Sequence, residues 1–287
     1  MARALFTALL VLAIAVSASA GPRPAGPVRI AIGAMISPKE TFIEYRRLVD
    51  YIGEKIGRKA EILQRGSYEG IDSLLREGAV DLAFICSGPY VDDKASFDVD
   101  LLAVPVVRGK TTYRSYIIVR KAAPYYTLSD LKGKSFAFTD PESNTGHDVP
   151  LYMVSKMGED PDRFFSKTIY TRAHDNSVEA VSSGLVEGAG VDSVIYEYML
   201  AKNYPAVKDT RVLVASDPYG MPPVVTPKGV DPKLRAAARK ALLDMHRDPA
   251  GRKILDSLLI DRFVAARDSD YDGVRAVEEF VNKRKGR

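Results

Sequence analysis

The chain is 287 residues long, 46% hydrophobic and 27% charged, the balance of an ordinary globular protein. Its formal charge of +4 suits an anionic ligand without demanding one, and the short basic run Lys283-Arg284-Lys285 reads as a solvated end rather than a nucleic-acid site. The single cysteine, Cys86, excludes an intramolecular disulfide, so stability has to come from the core.

Residues 1–20 read as a signal peptide. Arg3 supplies a positive start, Ala4 to Val16 is apolar, and Ala18-Ser19-Ala20 is a small-x-small cleavage site before Gly21. The apolar run is too short and wrongly flanked for a membrane anchor. No cysteine follows it, so lipid attachment at the cleavage site has no acceptor. The expectation is an exported, non-lipidated protein of the periplasm.

Strands and helices then alternate. Val28 to Gly33 is a β-branched run, and from Thr41 to Gly57 the residues Phe42, Tyr45, Leu48, Val49, Ile52 and Ile56 recur at helical spacing. Ala60 to Leu63 predicts a strand. Ile71, Leu74 and Leu75 mark a helix ending at Gly78, and Asp81 to Ile85 a third strand. This βαβαβ order implies a parallel sheet. Leu101 to Val107 and Tyr113 to Arg120 are strands around the turn Arg108-Gly109-Lys110.

The order then repeats. Ser135 to Phe138, Lys167 to Thr171 and Gly188 to Val191 predict strands; Val149 to Met157, Ser177 to Ser183 and Val194 to Lys202 predict helices. Arg211 to Ala215 is a strand before the proline-rich Pro218 to Pro227, and three helices follow: Pro232 to Met245, Pro249 to Leu259 and Tyr271 to Val281. Two crossings near Val106 to Tyr113 and Asp209 to Val214 would make a hinge with a cleft between two lobes. The expected division is 27–110 for the first part of lobe 1, 111–210 for lobe 2, and 211–287 for the return to lobe 1 with the terminal helices. One continuous α/β domain is the alternative that spacing leaves open.

Catalytic patterns are missing. Of three histidines, His147, His174 and His246, none sits in a His-x-x-Glu-His motif, and neither Cys-x-x-Cys nor Gly-x-Ser-x-Gly occurs. Gly133-Lys134-Ser135 resembles the tail of a phosphate loop, but Ser129 replaces the upstream glycine and a strand follows where a helix should. A Cys86–histidine dyad lacks an orienting third group. No catalytic residue, metal ligand or cofactor is expected, which leaves an exported hydrolase as the weaker rival from another class.

The segment Phe138 to Leu151 is different. It reads as a strand end, a polar loop and a helix start. Ser143, Asn144 and Thr145 bring two hydroxyls and an amide to the positive end of a helix, with Gly146 beside them. A small oxyanion can be held there without a full countercharge. On the loop alone, an ordinary N-capping loop accounts for the same residues. His174 and Asp192 each follow a strand, where ligands sit in open α/β sheets. Tyr68, Tyr90, Tyr113 and Tyr116 fall in or beside strand ends and offer either core packing or a hydroxyl to a cleft.

Several segments in order resemble the periplasmic phosphonate/phosphite/phosphate-binding proteins of ABC importers. They are Ser67-Tyr68-Glu69-Gly70-Ile71 with Gly78 to Phe84, Tyr113 to Val119, Leu128 to Lys134, the pattern Asp140, Pro141, Ser143, Thr145, Gly146 and Pro150, then His174-Asp175 with Ala180-Val181, and Val191-Asp192-Ser193. The resemblance implies a type II clamshell of two α/β lobes, each a mixed, mostly parallel sheet flanked by helices. It implies that Ser143, Asn144 and Thr145 bind the oxyanion head and that His174 donates to the same oxygens. Tyr68, Tyr90 and Ser115 would line the cleft, with Asp192 near a protonated oxygen or a ligand amine. Partners would be the importer's membrane subunits, or a sensor kinase's periplasmic domain if the protein is a receptor, and the protein would be a monomer.

Two positions depart from that family. Asn144 stands where the family usually has threonine, and Cys86-Ser87 where it tends to have Gly-Pro. Cys86 is either a small buried residue in place of glycine or a soft ligand facing the cleft, as in arsenite-sensing relatives.

Overall fold

Two mixed sheets, one per lobe, carry the architecture. The computed structural model describes residues 26–33 and 35–285, so the segment read as a signal peptide lies outside the described residues. The first sheet begins with β1 (Val28–Ile32), α1 (Pro38–Ile56), β2 (Ala60–Gln64), α2 (Tyr68–Arg76), β3 (Leu82–Phe84), α3 (Ser87–Ser96) and β4 (Val99–Val106). Next comes β5 (Thr112–Tyr113). The second lobe holds β6 (Ser115–Arg120), β7 (Ser135–Phe138), a π-helical turn (Asn144–Asp148), α4 (Val149–Lys156), α5 (Pro161–Phe164), β8 (Lys167–Tyr170), α6 (His174–Ser182), β9 (Gly188–Asp192), α7 (Ser193–Ala201), α8 (Pro205–Lys208) and β10 (Thr210–Ala215). The chain returns through β11 (Tyr219–Gly220) to β12 (Val224–Pro227), α9 (Pro232–Asp244), α10 (Pro249–Ser257), β13 (Arg262–Val264) and α11 (Asp272–Lys285).

The sheet orders are β13-β4-β12-β3-β1-β2 and β10-β6-β9-β7-β8. Parallel pairing is confined to the βαβ strands β2-β1-β3 and β8-β7-β9; the remaining pairs are antiparallel. Helices cover both faces. Ile30 and Ile32 of β1 pack with α1 and α9, whereas Ala31 between them packs with α2, α3 and α11. In the second sheet Ile118 faces α6 and α7 while Ile117 and Val119 face the opposite side with Phe136 and Phe138. The two-residue period of a strand divides each apolar run between two cores. Gly57 ends α1 in the left-handed region at φ 74°, which a glycine adopts without a side-chain penalty.

The hinge differs from expectation in one strand. β10 pairs along β6 and belongs to the second sheet, so the chain leaves that lobe after Ala215, not at 210. Both crossings then zip together, with Tyr113 of β5 opposite Tyr219 of β11. Several elements, among them α3, α5, α8, β12 and β13, have no counterpart in the sequence reading. Helix α3 carries Gly88-Pro89 in its first turn, where a missing N–H costs nothing but local propensity is poor. Strand β12 is short and proline-flanked, β13 is three residues long, and both exist because β4 gives each of them an edge.

Candidate functional site

The polar groups that converge between the lobes sit on helix starts. Tyr68 opens α2, and Cys86 caps α3. Ser143 caps the π-helical turn, accepting the Gly146 N–H at 3.0 Å. His174 opens α6. Asp192 caps α7, its Oδ1 accepting from Val194 N–H at 2.6 Å and Ile195 N–H at 3.2 Å. Each start follows a strand or its short loop, so the positive ends of several helices meet in one place. Such an arrangement favours an anion without any lysine or arginine.

Protonation states follow from the partners. The Asp192 N–H donates to His174 Nδ1 at 3.1 Å, so the imidazole proton resides on Nε2, which lies 3.5 Å from the Tyr68 hydroxyl. Thr139 Oγ1 is 3.0 Å from the same Nδ1 and 3.3 Å from the Gly190 carbonyl. Burial pushes His174 down to about 3 and holds the ring neutral. Burial likewise pushes Tyr68 well above the usual phenol range. Asp192 is raised to about 7 by burial, against the two amides that lower it. The result is a set of fixed neutral donors beside one carboxyl poised between its two states.

Among the buried polar atoms with no hydrogen-bond partner are Thr145 Oγ1 and Asn144 Oδ1, on adjacent residues of this loop. An orphaned buried group costs about 1–3 kcal/mol, so a pair of them in one loop marks a place where a ligand completes the network. The other amide atom, Asn144 Nδ2, donates to the Tyr113 hydroxyl at 3.1 Å, and Tyr113 is also 2.5 Å from Ser87 Oγ and 3.7 Å from Cys86 Sγ. An oxyanion carrying one proton matches both orphans, accepting from the Thr145 hydroxyl and donating to the Asn144 oxygen.

The remaining predicted residues take definite places. Ser115 Oγ donates to the Thr145 carbonyl at 2.6 Å and fixes the loop from the sheet. Gly146 permits close approach: a Cβ there would lie 2.5 Å from Thr139 Oγ1. Cys86 is buried with Met35 and Tyr68, and burial pushes its thiol up to about 11, so it is a protonated thiol. The structure does not bring Tyr90 to this group. Its hydroxyl donates to Asp268 at 2.6 Å and its ring lies 4.4 Å from Tyr271, inside the core of lobe 1. Conversely, Met35 joins the site with no signal in the sequence, while Thr139 was legible only as part of the segment Phe138 to Leu151, Ser87 only as the neighbour of Cys86, and Tyr113 only as one of four strand-end tyrosines.

The lobes touch. His174 N–H donates to the Met35 carbonyl at 3.0 Å, and Ser37 N–H to Asp175 Oδ1 at 2.9 Å. At Gly88 of α3 a Cβ would lie 2.5 Å from the Glu142 carbonyl of the second lobe. Behind that contact, Asp72 and Asp93 of lobe 1 meet Glu142. Burial and mutual repulsion raise Asp72 to about 9, burial chiefly raises Asp93 to about 7, and Glu142 is raised as well.

Residues 30–271 match the family described as ABC transporter, phosphonate, periplasmic substrate-binding protein. The phosphate-import protein PhnD of Mycolicibacterium smegmatis is 24% identical over 263 residues, covering 84% of this chain and 81% of that protein. Among solved structures, a binding protein component of an ABC phosphonate transporter from Pseudomonas aeruginosa superposes with a TM-score of 0.83 at 21% identity, covering 89% of this chain and 86% of that one. PhnD1 of Prochlorococcus marinus in complex with methylphosphonate gives 0.80 at 15% identity, covering 89% and 98%. At these identities the structural likeness speaks for the fold.

Proposed function

Because the chain belongs to the periplasmic phosphonate substrate-binding family of ABC transporters, we propose that its interlobe site captures a small phosphorus oxyanion, a phosphonate, phosphite or phosphate, in a singly protonated form. The protein is a solute-binding protein and not an enzyme, and its partners are the membrane subunits of an importer. The observation that carries the ligand reading is the pair of buried, unpartnered atoms Thr145 Oγ1 and Asn144 Oδ1 at the converging helix starts. Thr145, Asn144 and the Nε2–H of His174 address the head group, Ser115 and Ser143 hold the loop that presents them, and Tyr68 closes the site from lobe 1. Relatives whose names report phosphate import and methylphosphonate binding support the same class.

A thermal-shift panel of phosphate, phosphite, methylphosphonate, sulfate, arsenate and arsenite tests this. A ligand at 100 times its Kd stabilises by about 2.7 kcal/mol. Phosphorus oxyanions should raise the midpoint, and Thr145→Val should remove most of that rise while leaving the unliganded midpoint unchanged or higher. No shift with any phosphorus oxyanion refutes the reading. A shift with arsenite alone would transfer the site to Cys86.

A further inference from the structure

Beside the oxyanion site lies a second, apolar cavity that the head group does not use. Its volume is about 70 Å³, and Ile36, Phe84, Val107 and Phe263 from lobe 1 face Val194 and Tyr198 from lobe 2 across it. One water-sized group needs about 10–15 Å³ of such space, so the cavity takes roughly five groups of that size. Its wall includes a single ionisable carboxyl, Asp192.

Met35 and Asp192 border this cavity and also belong to the oxyanion site, Met35 through its packing on Tyr68 and Cys86, Asp192 through its bond to His174. The cavity and the oxyanion site therefore share two wall residues. Both spaces are also interlobe, so the apolar walls come together only as the clamshell closes. A ligand whose head group sits at Thr145 reaches this cavity with whatever it carries on the side of Met35.

We propose that the cavity is a tail subsite, and that the preferred ligand is a phosphonate bearing an uncharged alkyl or aryl substituent of a few carbons rather than a bare inorganic oxyanion. This rests on the oxyanion reading above. The walls disfavour an anionic tail twice, by offering it no lysine, arginine or histidine and by placing it beside Asp192. An apolar tail displaces water from a surface that has little to offer water, and it ties the two lobes together through Phe263 and Val194. Burial of each added methylene should tighten binding by about fourfold.

Titration calorimetry on the mature protein with phosphate and with methyl-, ethyl-, butyl- and phenylphosphonate tests this, alongside 2-carboxyethylphosphonate. Affinity should climb at least tenfold from methyl- to butylphosphonate, and the carboxyethyl compound should bind more weakly than the ethyl one. The variant V107F, which fills the cavity from the end of β4, should keep methylphosphonate affinity and lose the gain from butyl. Equal or falling affinity along the wild-type series, with methylphosphonate still bound, overturns the tail subsite alone. Failure of every compound overturns the oxyanion reading with it. The wild-type series decides the matter even if V107F does not fold.

Discussion

The amide N–H of Asp192 donates to Nδ1 of His174 at 3.1 Å, and that bond places the imidazole proton on Nε2, toward Tyr68 and the site. A residue from the end of one strand thus sets the tautomer of a residue at the start of a helix eighteen positions earlier. The ring donates as a neutral group, so binding does not need the acid pH at which free histidine charges.

His174 has a measurable consequence for stability. Its folded pKa, about 3, lies below the ordinary 6.5. The sign is that of a depressed group: its contribution is complete above pH 6.5 and is lost as pH falls toward 3. Melting curves should show wild type losing stability below pH 6.5 faster than H174Q, and the gap between them should narrow with acid. Ligand affinity of H174Q should fall by about tenfold at pH 7. Parallel melting-point profiles for the two proteins would contradict the neutral, buried ring.

Gly88 should act on closure and not on folding. A methyl there meets the Glu142 carbonyl at 2.5 Å across the interlobe gap, against backbone that cannot swing aside. G88A should weaken oxyanion binding by tenfold or more, with an unliganded melting point close to wild type because an open lobe pair relieves the clash. Small-angle scattering should show the variant failing to contract with ligand. A variant that binds and contracts normally would remove the close approach from the account.

The carboxyls Asp72, Asp93 and Glu142 give closure a pH dependence of the opposite sign to His174. Their pKa values are raised, to about 9 and about 7 for the two aspartates. The stability they share is complete below the ordinary carboxylate range and is lost as pH rises through those values. Two of them stand in lobe 1 and one in lobe 2, so alkali loosens the closed form in particular. Affinity for methylphosphonate should decline between pH 7 and 9, and E142Q should decline less. The comparison with E142Q removes the ligand's own titration, and identical slopes would refute the coupling.

Tyr90 tests the geometry from outside the site. Y90F deletes the bond to Asp268 and should cost about 1 kcal/mol of stability. Oxyanion affinity should stay within twofold of wild type in calorimetry. A large loss of affinity would return Tyr90 to the cleft.

Much of the fold was legible because local signals agreed with it. The β-branched run at Val28, the phenylalanine-rich run at Ser135, the helical spacing through Leu48 and Ile52, and Gly57 as a stop all required no distant partner. The oxyanion loop was legible as residue types at a strand-to-helix junction. What the sequence could not carry was direction. Tyr68 and Tyr90 look alike in the chain, each near a strand end, yet one begins α2 facing His174 and the other turns into the core against Tyr271. Short strands such as β13 exist only because another strand offers an edge.

By itself, then, the amino-acid order determined an alternation of strands and helices and a loop rich in neutral donors, since these rest on periodicity and on the chemistry of neighbouring residues. Tertiary structure alone decided that the starts of α2, α3, α6 and α7 meet that loop, that Asp192 fixes the proton of His174, and that an apolar cavity opens beside them. Those relationships join residues tens of positions apart, and only the packing of two sheets around a two-stranded hinge brings them within hydrogen-bond reach.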